Sequence, residues 1–363
     1  MKVQQLFLRN VRSIESLDLD FRDPVTGKPM SRIVLAGANG SGKTTILECL
    51  FGLLSAAGKY GSGGLDRFSQ LQEVAFTPST TAQLELIFEM GFPGNLPVEL
   101  IVHYGAQKKL VEQLPAGSEE AIVGGNLPHA VIEWSGAPLE GSLFRQLASL
   151  IQSAKEREVD APGTVLYFPH NRFLPSVEPG ELRYEPRVYH WAYRYKPSDD
   201  WQGSTASYLF SLNYLDLEDR DRKMPANRFR QTVELVNSIL VDKRIARLEK
   251  GRVVVETTSG QTHGLNDLSS GEKQLVLMLI EIARRVVPGS VILIDEPEIS
   301  LHPTWQRGLI AALDKIIEQY DAQVILATHS LEIATSVMPE EVVSLSDLGL
   351  PPGKWEPEKE AIR

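Results

Sequence analysis

Two adjacent carboxylates, Asp295 and Glu296, follow a short apolar run in the sequence VILIDEPEISLH. The residues Val291 to Ile294 have the composition of a buried parallel strand, and the carboxylates come where such a strand leaves its sheet. In α/β sheets, ligands bind in the crevice at the carboxyl ends of the strands. There, Asp295 is placed to hold Mg²⁺ through water, and Glu296 to orient or deprotonate a water that attacks a γ-phosphate. The pair therefore predicts phosphoryl-transfer chemistry, which requires a nucleotide.

A site for the phosphates is present as Gly37-Ala38-Asn39-Gly40-Ser41-Gly42-Lys43-Thr44. This run fits GxxxxGK[ST] in full. It stands between an apolar run and a helical pattern, and strand, loop and helix are the context of a phosphate cradle. Loop amides would converge on the β-phosphate, Lys43 would bridge the β- and γ-phosphates, and Thr44 would ligate Mg²⁺. The predicted nucleotide-binding residues here are Asn39, Gly40, Ser41, Gly42, Lys43, Thr44 and Thr45.

A third motif, LSSGEKQ at positions 268–274, opens an apolar helical run. Ser269 with Glu272 three residues later is the pattern of a capping box, which ties down the first turn of a helix. The exposed amides and the serine hydroxyl of such a helix start also suit a phosphate. From these residues alone, both interpretations stay open.

Together with Thr328-His329-Ser330, the three motifs resemble an ABC-type ATPase head. The form LSSGEKQ with DEPEISLHP is closest to the non-transporter branch, which includes SMC proteins, a related double-strand-break repair ATPase, RecF and the OLD-like ATPases of AAA type in bacterial defence. The resemblance covers roughly residues 1–58 and 240–335. It implies an α/β P-loop fold with a mixed or parallel core sheet, an antiparallel β subdomain, and a short insertion in place of coiled-coil arms.

The resemblance also implies a composite site for ATP and Mg²⁺. In related heads, the signature of one chain closes over the nucleotide held by another, which places Ser269, Gly271 and Glu272 against the γ-phosphate of the partner. The run Pro297 to Leu301 resembles the D-loop, which crosses to the partner head. We therefore expect ATP to drive formation of a homodimer or a higher homo-oligomer. The chain is predicted to be an ATPase with the catalytic residues Lys43, Glu296 and His329, the last as the switch histidine.

Two further positions are candidate ligands. Arg12 lies in a turn that resembles a nucleotide-contacting turn, and the alternative is a solvated arginine. The strand Val165 to Phe168 ends where related heads carry a glutamine that touches Mg²⁺ and the attacking water. No glutamine stands here, so either His170 or Asn171 would take that role, or the turn is purely structural. The predicted metal ligands are Thr44, Asp295 and His170.

Composition limits the classes of function. The chain has 363 residues, a formal net charge of −10 and a single cysteine, Cys49. A chain this acidic is not an electrostatic nucleic-acid binder as a whole, so contact with DNA would need a local patch or a partner. One cysteine cannot form an internal disulfide, and no apolar run approaches the length of a membrane span. We therefore expect a cytoplasmic protein without membrane contact.

The chain divides into four predicted segments. Residues 1–172 and 240–350 are the two parts of the head, residues 173–239 are an insertion without sustained heptads, and residues 351–363 are a tail. In the insertion, Arg183 to Lys196 mixes basic and aromatic residues, which suits a nucleic acid or a protein partner, whereas the alternative is an aromatic packing cluster. A second basic cluster, either a DNA-facing rim or an ordinary charged surface, lies on a predicted hairpin and comprises Lys243, Arg244, Arg247, Lys250 and Arg252.

These features favour an ATP-gated switch that controls a separate effector, a nuclease or toxin, in bacterial anti-phage defence. We see no second acidic metal constellation in the sequence, and about 35 residues follow His329, so we expect no appended nuclease domain. One alternative is a DNA repair ATPase of the RecF type. The others are the ATP-binding subunit of a transporter, which the SSGE signature and the DEPEISLHP extension argue against, and a mainly structural assembly in which ATP closes an oligomer that stores a partner.

Overall fold

The computed structural model describes residues 1–60, 82–91, 98–104, 119–125, 127–135, 143–157, 161–172, 174, 181–185, 188–196, 200–221, 226–345 and 353–354. Its strands, in chain order, are β1 (Lys2–Val11), β2 (Ile14–Asp20), β3 (Arg32–Ala36), β4 (Gln83–Met90), β5 (Val98–Tyr104), β6 (Glu119–Gly125), β7 (Leu127–Ser135), β8 (Val165–Phe168), β9 (Ala192–Arg194), β10 (Lys243–Glu249), β11 (Arg252–Thr257), β12 (Thr262–His263), β13 (Val291–Asp295), β14 (Gln323–Thr328), β15 (Val342–Ser344) and β16 (Gly353–Lys354). Its α-helices are α1 (Lys43–Tyr60), α2 (Leu143–Arg157), α3 (Trp201–Asp221), α4 (Arg228–Asn237), α5 (Ser270–Arg285), α6 (Pro303–Tyr320) and α7 (Leu331–Thr335).

The central sheet has seven strands in the order β16-β15-β3-β14-β13-β8-β9. All neighbouring pairs from β15 to β9 are parallel, and β16 pairs antiparallel with β15. The strand β14 lies between β3 and β13, and all three are parallel. Their carboxyl ends therefore lie side by side. The phosphate loop follows β3, the two carboxylates lie at the end of β13, and His329 follows β14. The predicted α/β fold with a mixed core sheet is confirmed.

Side chains of the central strands alternate between two hydrophobic cores. Ile33 and Leu35 of β3 join the core that contains α1 and the strands β1 and β4. Val34 and Ala36 join the other core, which contains residues of α3, α5, α6 and the β10–β11 hairpin. Burial on both faces explains why these strands are apolar without interruption. The helix after the phosphate loop is therefore packed between the central sheet and a second sheet.

That second sheet is antiparallel and has six strands in the order β2-β1-β4-β5-β7-β6. It corresponds to the predicted antiparallel subdomain. The sequence pattern had marked β4 and β5 with the same bounds, and part of β7, but had given no indication of β6.

The segment predicted as an insertion contributes to the head itself. Its strand β9 pairs with β8 at the edge of the central sheet, and its helices α3 and α4 pack on each other and on α5. Tyr189, Trp191 and Tyr195 are buried, and the indole of Trp191 donates to the carbonyl oxygen of Leu54 over 2.7 Å. For these three aromatic residues the packing alternative is confirmed. Arg187 lies outside the described residues.

The predicted basic hairpin forms from β10 and β11. Three of its basic residues pair with carboxylates, namely Lys243 with Glu272 (2.9 Å), Arg244 with Glu256 (2.7 Å) and Arg247 with Glu249 (3.0 Å). These pairs favour a charged protein surface over a DNA-facing rim. No helix in the described part of the chain is both long enough and apolar enough to cross a membrane.

Candidate active site

The phosphate loop lies between β3 and α1. Lys43, the first residue of α1, is buried and donates from Nζ to the carbonyl oxygens of Gly37 (2.7 Å) and Ala38 (2.8 Å). Gly42 has a φ of 91°, in the left-handed region, and a Cβ there would lie 3.1 Å from Ile14, so the position favours glycine twice over. Ser41 Oγ is buried without a hydrogen-bond partner. The loop thus offers an ammonium group and an unused hydroxyl, which are donors that a phosphate requires.

The three predicted metal ligands meet beside this loop. Thr44 Oγ1 donates to Asp295 Oδ2 over 2.8 Å, and His170 Nδ1 lies 3.2 Å from the same oxygen. Asp295 is fully buried, and this burial raises the pKa of its carboxyl group, while the contacts with Thr44 and His170 oppose the shift. Asp295 Oδ1 is buried and has no hydrogen-bond partner. The alternative ligand Asn171 is exposed.

These side chains fit Mg²⁺ bound together with a nucleotide. Mg²⁺ prefers oxygen ligands and is usually held by one or two carboxylates plus substrate phosphates. The unpaired Oδ1 of Asp295 and the hydroxyl of Thr44 supply such oxygens. Within the described ranges, no group of three or more His, Cys, Asp or Glu side chains could hold a metal ion. Because imidazole suits other metals better, His170 fits a contact to Asp295 or to water better than direct ligation of Mg²⁺.

Glu296 and His329 stand at the ends of the neighbouring strands β13 and β14. Glu296 Oε1 lies 3.9 Å from His329 Nδ1. The side chains are 26% and 45% exposed, respectively, so both are accessible from solvent. The structure therefore brings the predicted catalytic base and switch histidine together, close in the sheet to Asp295.

Glu298 is a further candidate residue, to which the sequence motifs assign no contact with His329. Its Oε1 accepts hydrogen bonds from Thr328 Oγ1 (2.7 Å) and from the backbone N–H of His329 (2.8 Å), and it lies 3.1 Å from His329 Nδ1. The Glu298 side chain is only 5% exposed, so it is a fixed acceptor for both the backbone and the ring of His329. The second glutamate of DEPE is the residue that could have indicated this contact, but the resemblance implies only a D-loop there.

Arg12 contacts the helix behind the phosphate loop. Its guanidinium donates to Thr45 Oγ1 over 3.2 Å and lies 2.9 Å from Glu48 Oε2. Burial raises the pKa of Glu48, and the positive charge of Arg12 opposes the shift. Arg12 is thus an exposed turn residue that is ion-paired with Glu48, and its contact with a nucleotide stays a prediction. The predicted loop residues Asn39 and Gly40 are exposed at the tip of the loop.

The signature residues form a helix cap. Ser269 Oγ accepts from the backbone N–H of Glu272 (3.3 Å), and Glu272 Oε2 accepts from that of Ser269 (2.7 Å), which confirms the capping box. Burial alone would raise the pKa of Glu272, but hydrogen bonds from Lys243 and Ser269 outweigh it and lower the pKa. A Cβ on Gly271 would collide with the carbonyl oxygen of Ser300. Within the chain these residues contact Lys243 and Ser300, and their role towards a phosphate stays a prediction.

Two protein-family models match this chain. Residues 143–335, more than half of the chain, match the family model described as "AAA domain, putative AbiEii toxin, Type IV TA system", and residues 5–96 match a second model described as "AAA domain". The chain is 29% identical over 160 residues, 40% of its length, to the "Retron Vc95 probable ATPase" of Vibrio cholerae. It is 37% identical over 89 residues, 24% of its length, to a "DNA double-strand break repair Rad50 ATPase" of Methanosarcina acetivorans. These alignments cover 30% and 7% of the two relatives.

Among solved structures, the fold is similar to an SMC head bound to the C-winged helix domain of ScpA. The TM-score is 0.50 over 95% of this chain and 94% of the SMC head, at 11% sequence identity. At this identity the likeness shows the fold alone, which is that of an ABC-type ATPase head.

Proposed function

The chain belongs to the ABC-like ATPase family matched over residues 143–335, which implies ATP binding, and on this premise we propose that it hydrolyses ATP with Mg²⁺ as a dimer of heads. The observation that carries this proposal is the meeting of Thr44, Asp295 and His170 beside the phosphate loop, with Glu296 and His329 on the adjacent strand ends. Each side chain has a distinct part in phosphoryl transfer.

In this mechanism Lys43 turns its ammonium group from its own loop carbonyls to the β- and γ-phosphate oxygens, and the loop amides hold the β-phosphate. The side-chain oxygens of Thr44 and Asp295 would hold Mg²⁺, which would neutralise charge on the phosphates. Glu296 orients the attacking water and takes its proton. His329, held by Glu298, donates to the γ-phosphate as negative charge develops there.

The second half of the site would come from another chain. Ser269 and Gly271 have their intrachain contacts at their own helix start and at Ser300, and Asn39 and Gly40 of the phosphate loop are exposed. We infer that a partner head supplies its signature there, with its helix start facing the γ-phosphate. ATP then acts as the link between two heads, and hydrolysis releases them.

A mixing experiment tests this composite site. Lys43→Ala removes the ammonium group of the phosphate loop but keeps the signature, whereas Ser270→Arg puts a bulky charge on the exposed first residue of α5 but keeps the loop. We expect each variant alone to be inactive, and their equimolar mixture to recover up to about a quarter of the wild-type turnover, because half of the dimers are mixed and each has one intact site. Absence of recovery, with both variants folded and Ser270→Arg still binding ATP, would contradict the composite site.

The biological role that we infer is an ATP-dependent switch that controls a separate effector, a nuclease or toxin, in anti-phage defence. It is supported by the similarity to a protein named as a retron ATPase, over 40% of this chain. A repair ATPase is the alternative, supported by the shorter match to a protein named as a Rad50 ATPase.

Phage challenge distinguishes the two roles. We expect cells that carry the gene with its neighbouring genes to survive infection better, and Glu296→Gln to remove this protection, while the turnover of the purified chain changes little on addition of DNA. If duplex DNA stimulates turnover and phage survival is unaffected, the repair alternative is favoured and the defence role is wrong.

A further inference from the structure

A buried arginine ties the ends of two central strands together. Arg172, four residues after β8, is only 5% exposed. Its NH1 donates to the carbonyl oxygens of Pro169 (2.7 Å) and Asp295 (2.6 Å), and its NH2 donates to that of Glu296 (2.8 Å). One planar guanidinium thus bridges the segment after β8, the last residue of β13 and the residue that follows it.

Such a contact requires the removal of a charged guanidinium from water, and its partners here are neutral carbonyl oxygens. Burial lowers the pKa of the Arg172 guanidinium, and the negative charges of Asp295, Glu298 and Glu296 oppose the shift. The guanidinium has five N–H donors in a fixed plane, so it can bind several carbonyl oxygens in one geometry, which a lysine cannot reproduce. The hydrogen bonds therefore set the relative position of the two strand ends.

The residue that this contact constrains is Glu296. Its φ is 48°, in the left-handed region, which is strained for a residue with a side chain. The backbone N–H of Glu296 donates to the carbonyl oxygen of Ala327 over 2.8 Å, and its carbonyl accepts from Arg172. Both peptide groups of the strained residue are thus held, one by β14 and one by the arginine.

We propose that Arg172 is a positioning residue for hydrolysis: it fixes the left-handed backbone of Glu296 and so aims the carboxylate at the attacking water. This inference rests on the proposed function, in which Glu296 is the base. The same guanidinium holds Pro169, next to His170, whose ring contacts Asp295 Oδ2. The guanidinium thus contacts both the segment that carries His170 and the backbone of Glu296.

The first test compares Arg172→Lys and Arg172→Ala with Arg252→Ala, which removes an exposed arginine from the hairpin. Removing the clamp should lower kcat by on the order of 10²-fold, because a displacement of about 1 Å at a reacting group has an effect of this size. The affinity for an ATP analogue should stay within a few-fold, since Lys43 and the loop amides are untouched. Added guanidinium ions should restore part of the turnover of Arg172→Ala.

A double-mutant cycle with Glu296→Gln is the decisive measurement, read by single-turnover hydrolysis. If Arg172 acts through Glu296, Arg172→Lys slows the wild type but has little further effect in the Glu296→Gln background. The inference is overturned if Arg172→Lys slows hydrolysis by the same factor in both backgrounds, or if its kcat equals that of Arg252→Ala. Either result leaves the proposed function intact. Wild-type turnover in Glu296→Gln alone would instead overturn the assignment of the base. If Arg172→Ala fails to fold, Arg172→Lys carries the whole cycle.

Discussion

Glu296→Gln is expected to bind ATP as tightly as the wild type and to hydrolyse it on the order of 10²–10⁴-fold more slowly, the range for removal of a general base. Glutamine has the shape of glutamate and leaves the phosphate loop, Thr44 and Asp295 untouched. It can still hydrogen-bond a water, but it cannot accept the proton. The variant should therefore stop the cycle after the two heads have closed on ATP.

The consequence is a change of oligomeric state that can be measured directly. With ATP and Mg²⁺, the variant should sediment as a dimer, and the wild type should return to monomer as ATP is consumed. Glu318→Gln, which makes the same chemical change on the exposed side of α6, is the matched control and should behave like the wild type. A Glu296→Gln chain that stays monomeric at saturating ATP would contradict the sandwiched dimer.

Motifs with a fixed local spacing could be predicted well from the sequence. The phosphate loop, the strand before Asp295 and the capping box at Ser269 each need only a few consecutive residues, so neighbouring side chains already determine the backbone. The topology then brings Thr44 to Asp295, although 251 positions separate them. That contact was predictable because the motif set implies it, not because any local pattern shows it.

The contacts of the Glu298 and Arg172 side chains could not be predicted, because their partners are backbone groups that are distant in the chain. Arg172 binds a carbonyl oxygen 123 positions away, and Glu298 binds a backbone N–H 31 positions away. A carbonyl oxygen is present in every residue and leaves no mark on the sequence. Likewise β9 has only three residues and forms a strand by pairing with β8. Because no local pattern marks so short a strand, the sequence predicts an insertion for this segment.

A second large effect is expected at Lys43, on binding rather than on chemistry. In the structure, Lys43 Nζ donates to two carbonyl oxygens of its own loop, and burial lowers its pKa while the charges of Glu296, Asp295 and Glu298 oppose the shift. Phosphate oxygens would replace the carbonyls as charged acceptors. Because a hydrogen bond to a charged group contributes roughly 1.5–3 kcal/mol, loss of one or two should weaken ATP binding by on the order of 10–10⁴-fold in Lys43→Ala.

His329→Ala should lower the rate of hydrolysis and leave the affinity for ATP nearly unchanged, which is the opposite of the result expected for Lys43→Ala. The histidine lies at the end of β14, 45% exposed, and is aimed by Glu298 at the place where charge develops during transfer. An interaction made mainly in the transition state lowers kcat and leaves ground-state affinity nearly unchanged. Equilibrium titration with a fluorescent ATP analogue, followed by single-turnover hydrolysis, separates the two cases. Lys315→Ala, on the exposed face of α6, controls for loss of a surface charge. Equal loss of affinity in Lys43→Ala and His329→Ala would place the histidine among the binding residues, because a group that acts only on the developing charge has no ground-state interaction to lose.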